Sequence, residues 1–391
     1  MKKALCSAAS AFSIALAAQI PDLPLLKIFH FAGSRRPTEN VLLSPWGIQE
    51  CFGMISGGAG RQCIAELSQI PGVTPSVSNA ISRARKSMQQ NSENFKSYNV
   101  IFLERQLKAK QSFIHHVTTI YNGDIYSVDF SQGSKCARFL NNIVKSRTSG
   151  MFGDIFTERS FFPKPDVLLL NTLYFECAWQ ESFDKSNTSS EKFTIPSPDG
   201  KAALRKKTVK MMNDIRRVPY YEDKELHGII LSYRDRRFKL LVLTPKKNTV
   251  SLSKATAALA QKGIQHFTNN SSNIYKTHIK LPRMKLSGET DLKELFYSAG
   301  MKSLFSSAGE GLTEMVTDRP LFISSAKQLV KLDLNEKSTK VAAVTYAAVA
   351  MSAPPVIEEK ENYFYADHPF ILVLFDNKTN AVLLTASIVD P

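Results

Sequence analysis

The order of apolar and polar residues predicts helices mainly in the first half of the chain and strands mainly in the second. Helical spacing of apolar residues predicts helices over 22–32, 46–58, 61–70, 76–90, 111–121, 137–149, 253–263 and 292–299. Alternating or wholly apolar runs predict strands over 40–45, 98–104, 125–130, 167–179, 193–200, 209–213, 216–223, 228–234, 238–245, 277–284, 329–334, 370–375 and 381–389. Because no linker, compositional break or repeat divides the chain, the pattern indicates one α+β domain with large mixed sheets.

Two stretches differ from ordinary amphipathic elements. Residues 167–179 (VLLLNTLYFECAW) are almost continuously apolar, which is typical of a central strand covered on both faces. Residues 335–355 (NEKSTKVAAVTYAAVAMSAPP) begin with turn-like charged residues, continue with small and β-branched residues at strand periodicity and end at two prolines. The polar run 358–362 after them indicates an exposed loop. The pattern alone therefore leaves two interpretations of 335–355, a buried strand or a solvent-exposed loop.

The N-terminus resembles a secretory signal. Lys2 and Lys3 give a basic start, residues 4–18 are apolar or small, and Ala15-Leu16-Ala17 has the small-x-small cleavage pattern. The alternative is an amphipathic helix that belongs to the mature protein. Export to an extracellular location would expose four N-x-S/T sequons as candidate glycosylation sites, at Asn187, Asn269, Asn270 and Asn377.

Composition further limits the classes of protein to which the chain could belong. No apolar run reaches the roughly 18 residues that a membrane span requires, so no integral membrane protein is expected. Cys51, Cys63, Cys136 and Cys177 lack CxxC spacing, which favours buried free thiols over a zinc site or a disulfide framework. The net charge is +15, with basic clusters at 83–86, 201–210 and 234–239. These clusters are either solvated faces or a binding site for a sulfated glycan or another polyanion. Nucleic acid is not an expected partner, because no zinc-finger or RRM-type motif is present.

Motifs of catalysis are absent from the sequence. There is no GxSxG elbow, HExxH motif, phosphate-binding P-loop or GxGxxG after a strand. None of the seven histidines lies in a Gly-rich or acidic context. A Ser-His-Asp site can still assemble from residues that are distant in sequence. Together with the family resemblance described next, however, the absence of motifs leads us to expect no enzyme activity, no catalytic residues, no cofactor and no metal.

Seven stretches resemble the serpin family, in the family's order and at its spacing. They are NVLLSP with GGAGRQCIAEL, FLNNIVKSRTSGMFGDIF, LLLNTLYFECAWQESFD, VKMMN, LVLTPKK, HIKLPRMKLSGETDLKELFYSAGM and YADHPFILVLFDNKTNAVLLTASIVDP. The resemblance covers essentially the whole chain after the leader. With the predicted leader at 1–18, it implies one serpin domain at 19–391, with three β-sheets, eight or nine helices and an exposed C-terminal reactive loop at about 336–356.

The resemblance also implies a function. A serpin of the inhibitory kind is a monomer whose loop is cut by a target serine protease and then inserts into the main sheet, which traps the acylated enzyme. Met351-Ser352 is the preferred scissile bond and Ser352-Ala353 the alternative, depending on how the loop is aligned. An unbranched apolar side chain before the cut suits an elastase- or chymotrypsin-like protease. The alternative function is that of a non-inhibitory serpin, a carrier, storage or binding protein.

Residue roles follow from the same resemblance. The predicted hinge consists of Glu336, Ser338, Thr339, Val341, Ala342 and Ala343, and the predicted sheet-opening cluster of Ser44, Gly47, Asn171, Trp179 and Gln328. Three departures from the family pattern bear on how fast the loop inserts. Ser338 replaces the usual hinge glycine, Val341 and Val344 stand where small residues are usual, and Gly47 and Gln328 replace a serine and a histidine of the cluster.

Overall fold

A computed structural model of the chain describes residues 23–70, 73, 75–90, 95–175, 177–195, 205–246, 251–306, 310–336 and 361–391. The predicted leader and loop residues 337–360 lie outside these ranges. No helix within the described ranges is long and apolar enough to cross a membrane.

Eight α-helices lie within the described residues, in agreement with the predicted number. They are α1 (Leu23–Arg35), α2 (Pro45–Ser56), α3 (Arg61–Leu67), α4 (Pro75–Gln90), α5 (Gln111–His115), α6 (Ser134–Arg147), α7 (Leu252–Asn269) and α8 (Leu292–Ser298). The helix predicted to end at Gly263 continues past it to Asn269. Gly263 takes a φ of 71°, a left-handed conformation that glycine adopts without strain, and so kinks α7 without ending it.

Fourteen strands lie in the same part of the chain. They are β1 (Val41–Leu43), β2 (Phe95–Glu104), β3 (Asp124–Val128), β4 (Val167–Phe175), β5 (Ser189–Ile195), β6 (Arg205–Glu222), β7 (Leu226–Ser232), β8 (Phe238–Pro245), β9 (Ile274–Pro282), β10 (Met284–Asp291), β11 (Ser325–Leu334), β12 (Asn362–Tyr365), β13 (Phe370–Asp376) and β14 (Val382–Ile388). They form a five-stranded sheet, β10-β11-β4-β2-β3, and a nine-stranded sheet, β1-β14-β13-β8-β7-β6-β9-β12, in which β5 also pairs with β6.

Strand β4 lies at the centre of the five-stranded sheet and is buried on both faces. Leu169 and Leu173 belong to the larger hydrophobic core, whereas Leu168 and Leu170 belong to a second core that includes Leu140 of α6. This arrangement confirms the prediction that 167–179 contains a central, doubly covered strand, although the strand itself ends at Phe175.

Strand β6 differs from the prediction of two separate strands at 209–213 and 216–223. It runs through 18 residues without interruption. The residues between the two predicted strands stay extended because β9 pairs with them, Asn213 opposite Lys280 and Ile215 opposite His278. The first part of β6 pairs with β5 and β9, and its last three residues pair with β7. The predicted three sheets are therefore joined into two hydrogen-bonded assemblies, because β6 continues from one sheet into the next.

Two more strands were not predicted as such. The single strand predicted over 277–284 is interrupted at Arg283, after which β10 begins and pairs with β11. The polar run predicted as a loop over 358–362 reaches β12, which begins at Asn362 and pairs in parallel with β9. Strand β12 brings the end of the 337–360 segment to the edge of the nine-stranded sheet.

Candidate functional site

The candidate site is centred on two neighbouring parallel strands, β4 and β11. Their register runs from Ser325 opposite Leu168 to Leu332 opposite Phe175. Two residues after β11, Glu336 is the last described residue before the 337–360 segment. A segment that turned back from the end of β11 would run antiparallel to it, and antiparallel to β4 as well, because β4 and β11 are parallel.

Four of the five residues predicted to control opening of the sheet meet at the middle of this strand pair. Gln328 of β11 lies opposite Asn171 of β4 and donates a hydrogen bond to its Oδ1 at 2.8 Å. The Gln328 amide also accepts from the backbone N–H of Ser44 at 2.7 Å and donates to the Ser44 carbonyl oxygen at 3.0 Å. One glutamine side chain thus joins the two strands to each other and to the start of α2.

Ser44 holds its place because it caps α2. Its Oγ accepts a hydrogen bond from the Gly47 N–H at 2.9 Å, and Pro45 occupies the first helical position, where its missing N–H is no loss. The same Oγ donates to the carbonyl oxygen of Leu383 in β14 at 2.7 Å. The cap therefore connects the nine-stranded sheet to the strand pair of the five-stranded sheet.

Gly47 is the point of closest approach between α2 and β4. A Cβ atom built at Gly47 would lie 2.2 Å from Oδ1 of Asn171 and 2.7 Å from its Cγ. Asn171 is fully buried and also donates to Oδ1 of Asn99 at 2.7 Å. The absence of a side chain at residue 47 is thus what allows the Asn171 amide to occupy its present position.

The polar network extends further than the sequence predicted. Asn99 of β2 donates to Oε2 of Glu50 at 2.9 Å, and Ser97 donates to the same oxygen at 2.7 Å. The guanidinium of Arg85 lies 3.7 Å from Oε1 of Glu50 and donates to the backbone carbonyl oxygens of residues 120 and 121. Burial raises the pKa of Glu50, whereas Arg85 and the two hydrogen bonds oppose that rise. A continuous chain of buried polar side chains thus runs from β11 to α4.

Sequence reasoning missed Glu50, Asn99 and Arg85. The available signal was Glu50, the only ionisable carboxylate in the otherwise mostly apolar helix PWGIQECFGMIS, since an acidic residue in such a helix needs a buried partner. Its partner Arg85 was instead assigned to a surface cluster, and the structure corrects that assignment.

Trp179, the fifth predicted member of the cluster, is placed elsewhere. Its indole Nε1 donates to the carbonyl oxygen of Asn335 at 2.8 Å, just beyond the end of β11. Its ring stacks on Tyr233 at 4.5 Å. Trp179 therefore contacts the chain just after β11, at Asn335, which lies seven residues beyond Gln328 in the sequence.

Glu336 is anchored beside this tryptophan contact. Its side chain is only 3% exposed, and its Oε1 accepts a hydrogen bond from Thr188 at 2.9 Å. Nε of Arg283 lies 3.7 Å from its other oxygen. A carboxylate normally remains hydrated, so this buried anchor fixes the position of the chain directly before residue 337. The other predicted hinge and scissile-bond residues lie outside the described residues, namely Ser338, Thr339, Val341, Ala342, Ala343, Met351, Ser352 and Ala353.

The structure also shows where the predicted glycosylation sites and the four cysteines lie. The four sequon asparagines are all exposed, at Asn187, Asn269, Asn270 and Asn377. Cys51, Cys63, Cys136 and Cys177 are free thiols, and the first three are buried as predicted, whereas Cys177 is only partly buried. Burial raises the pKa of Cys136 and Cys177 to about 11, so both thiols are protonated at neutral pH. Within the described ranges, no group of three His, Cys, Asp or Glu side chains is placed to hold a metal ion.

Not every residue of the predicted basic clusters is available to a ligand. Arg85 is buried against Glu50 and the backbone, and Arg237 forms a bidentate ion pair with the buried Asp376. In contrast, Lys192, Lys206 and Lys210 are exposed on one side of the β5–β6 pair. Lys192 and Lys210 there contact the neutral hydroxyls of Thr208 and Ser190. This lysine row is one basic surface that the described residues leave exposed, and Arg83, Lys86, Arg234 and Arg236 are exposed elsewhere.

Comparisons with known proteins agree with this architecture. The sequence model of the family described as Serpin (serine protease inhibitor) matches residues 25–391. Plasminogen activator inhibitor 1 of Bos taurus is 27% identical over 94% of this chain and 90% of its own length. Leukocyte elastase inhibitor A of Mus musculus is 27% identical over 94% of this chain and 97% of its own length. The crystal structure of native protease nexin-1 with heparin superposes with a TM-score of 0.83 at 22% identity, over 96% of this chain and 100% of that one.

Proposed function

Because this chain belongs to the serpin family, we propose that it is a secreted inhibitor of serine proteases that acts by suicide cleavage of its loop at about 336–356. The target protease cuts the loop and becomes acylated through its nucleophile. Before water releases the protease, the part of the loop ahead of the cut inserts between β4 and β11, carries the enzyme along and distorts its active site. The uncut state persists for kinetic reasons, not because it has the lowest free energy.

The parallel pairing of β4 and β11 is the observation that carries this proposal. A segment that follows β11 and inserts between the two strands replaces one parallel ladder by two antiparallel ladders. Antiparallel pairing is slightly more stable per residue. About ten additional ladder hydrogen bonds, at about 1 kcal/mol net each, supply work to move the acylated enzyme. Residues Thr339 to Met351 are long enough to span the register of β11, and their small side chains suit a crowded interior.

The target class follows from the residue before the cut. Met351 precedes the preferred scissile bond, and Ser352 takes that position in the alternative alignment. An unbranched apolar side chain fits the primary pocket of an elastase- or chymotrypsin-like protease, and no basic residue lies nearby for a trypsin-like one. The relative named leukocyte elastase inhibitor A supports the same class.

The test of this function is a detergent-stable complex. The full chain, recovered from the medium of expressing cells, is incubated with elastase and with chymotrypsin and then boiled in SDS. We expect a new band at the combined mass, and a thermal denaturation midpoint that rises by tens of degrees in the loop-cleaved protein. Mass spectrometry of the same protein identifies its N-terminal residue, which tests the predicted leader. It also identifies any glycosylated asparagines, which tests the four sequons. Complete cleavage without the band or the thermal shift would contradict inhibition.

A non-inhibitory serpin is the second candidate, favoured by the Gln328 contacts. Three hydrogen bonds of this one side chain join β11 to β4 and α2, and the one to Asn171 must break before the two strands part. Ser338, Val341 and Gly47 add to the departures from the inhibitory pattern. Loop cleavage that leaves the thermal midpoint unchanged would support this candidate, because no strand would then have been added to the sheet.

Polyanion binding is compatible with either candidate. Lys192, Lys206 and Lys210 form an exposed row whose nearest described contacts are neutral, and the structural neighbour protease nexin-1 was crystallised with heparin. Sulfated glycans match such a row through charge. We expect the protein to elute from heparin at a higher salt concentration than from a sulfopropyl cation exchanger. A triple Lys192, Lys206 and Lys210 to Gln variant is expected to remove that difference, and equal salt for the wild type on both columns would exclude specific binding.

A further inference from the structure

A cluster of exposed apolar side chains lies on the outer face of β6, β9 and β12. Ile215, His278 and Tyr363 are in register across the three strands, so their side chains share one side of the sheet. Ile215 is 53% exposed and Tyr363 is 54% exposed, and Ile274, two rungs away on β9, is 54% exposed. Of the six large apolar side chains that are strongly exposed in the described residues, three thus lie on this surface, the Tyr363 face.

The Tyr363 face is held in a fixed arrangement by polar contacts. The Tyr363 ring stacks on His278 with 4.7 Å between ring centroids, and His278 Nε2 lies 2.7 Å from Glu361. Lys280 on the next rung pairs with Glu191 at 2.6 Å and lies 5.2 Å from the ring centroid of Tyr365. A rigid apolar centre with polar side chains around it is the usual composition of a protein-binding surface, because little side-chain entropy is lost when a partner binds.

The surface also has a depression into which a partner side chain could fit. A cavity of about 370 Å³ opens beside Ile215, lined by residues of β6 and β9 together with Asn187 and Tyr365. On the next rung Lys276 pairs with Glu361 at 2.5 Å, as Lys280 does with Glu191 on the other side. The face therefore offers a partner an apolar contact bordered by ion-paired side chains.

The connectivity of the chain limits what that partner is. Twelve residues separate Met351 from Tyr363, so Tyr363 lies within about 40 Å of the preferred scissile bond even if that segment is fully extended. A protease domain of about 200 residues is itself roughly 40 Å across. An enzyme engaged on the loop is therefore brought close to the surface on which β12 lies.

We propose that the Tyr363 face is a second contact surface for the target protease, which binds the enzyme beside its active-site cleft while the loop occupies the cleft. The proposal rests on the function proposed above and deepens it, since it names residues outside the loop that select the enzyme. It assigns to Tyr363 and Ile215 a role in the rate of association, and none in the insertion step.

The experiment compares Tyr363→Ala and Ile215→Ala with the matched control Tyr297→Ala. Tyr297 is a tyrosine of similar exposure, 44%, on α8. Tyr297 is distant from the face, because α8 is connected to β9 by strand β10, which is about 27 Å long. We expect each face variant to slow complex formation with elastase or chymotrypsin about tenfold, with Tyr297→Ala within twofold of wild type. The thermal shift on loop cleavage is expected to be unchanged in all three, which shows that they fold and insert.

Binding to a protease whose nucleophilic serine is replaced by alanine separates this proposal from the proposed function. Weaker binding by the face variants supports the Tyr363 face, even if the active enzyme is not trapped. Equal binding by wild type and variants, or no binding by the wild type, overturns the proposal, even if a detergent-stable complex forms. If the wild type is instead a dimer that Tyr363→Ala dissociates while the protease rates stay unchanged, a second copy of this chain covers the face and the proposal is wrong.

Discussion

If the protein inhibits proteases as proposed, replacing Thr339 with arginine is expected to turn it into a substrate. The proposed inserting strand places Thr339 first into the sheet, between β4 and β11, with its side chain on the face where Leu332 and Leu334 at the end of β11 are buried. Burying an unpaired guanidinium there costs several kcal/mol, and each 1.4 kcal/mol on the insertion barrier slows insertion about tenfold. Hydrolysis of the acyl-enzyme would then precede insertion. We expect the fraction of protease trapped in SDS-stable complex to fall at least about tenfold, with the rate of loop cleavage unchanged.

Lys340→Glu is the matched control, because strand alternation places the neighbouring residue on the opposite face, where Lys331 and Asp333 at the end of β11 are partly exposed. This reversal of charge is expected to keep the trapped fraction within twofold of wild type. A Thr339→Arg variant that traps protease as efficiently as wild type would show that this residue does not enter the sheet, and the proposed order of insertion would be wrong.

Replacing Gly47 with the serine that the resemblance predicts is expected to destabilise the uncut protein. Oγ and Cβ would occupy the space of the Asn171 amide, which lies 2.2 to 2.8 Å from the position of that Cβ. To make room, Asn171 would have to release Asn99 or Gln328, and each buried polar group left unpaired costs about 1–3 kcal/mol. We expect a loss of about 3 kcal/mol in the free energy of unfolding, measured by urea denaturation of the uncut protein.

Gly153→Ser provides the control, because a Cβ at residue 153 meets nothing within 4 Å. Adding Gln328→His to Gly47→Ser restores both residues that the resemblance predicts, and we expect the double variant to regain about half of the lost stability. Neighbouring residues of one buried network are generally not additive. If Gly47→Ser and Gly153→Ser unfold at the same urea concentration, the prediction is wrong. Asn171 can then move without cost, and the close packing of α2 on β4 does not contribute to stability.

Much of the fold could be predicted because its signals are local. The apolar run around Leu168 and Leu170 indicates a doubly covered strand without any knowledge of its neighbours, and the structure confirms it. Strand β10 gives a weaker signal, because it pairs on only one side and mixes exposed polar residues with a glycine. Strand β12 has only four residues, and its pairing partner β9 lies some eighty residues earlier in the chain.

The polar network shows where local signals are not sufficient. Ser44, Asn171 and Gln328 were found through the resemblance, since they fall within recognisable motifs or at a family position. Glu50 and Arg85 could not be paired from sequence, because a charged residue is read as exposed unless its partner is known. Their pairing depends on α2 and α4 packing against the same sheet, which is a property of the tertiary structure.

The positions of the last two strands have a consequence for biosynthesis. Strands β13 and β14 are the final strands of the chain, yet they lie inside the nine-stranded sheet, between β1 and β8. On the ribosome, β1 and β8 are therefore made long before the strands that join them, and their facing edges stay unpaired until β13 and β14 have been made. A premature stop codon ahead of β13 or β14 would remove strands from the middle of the sheet and not from its edge. We therefore expect such truncated chains to aggregate.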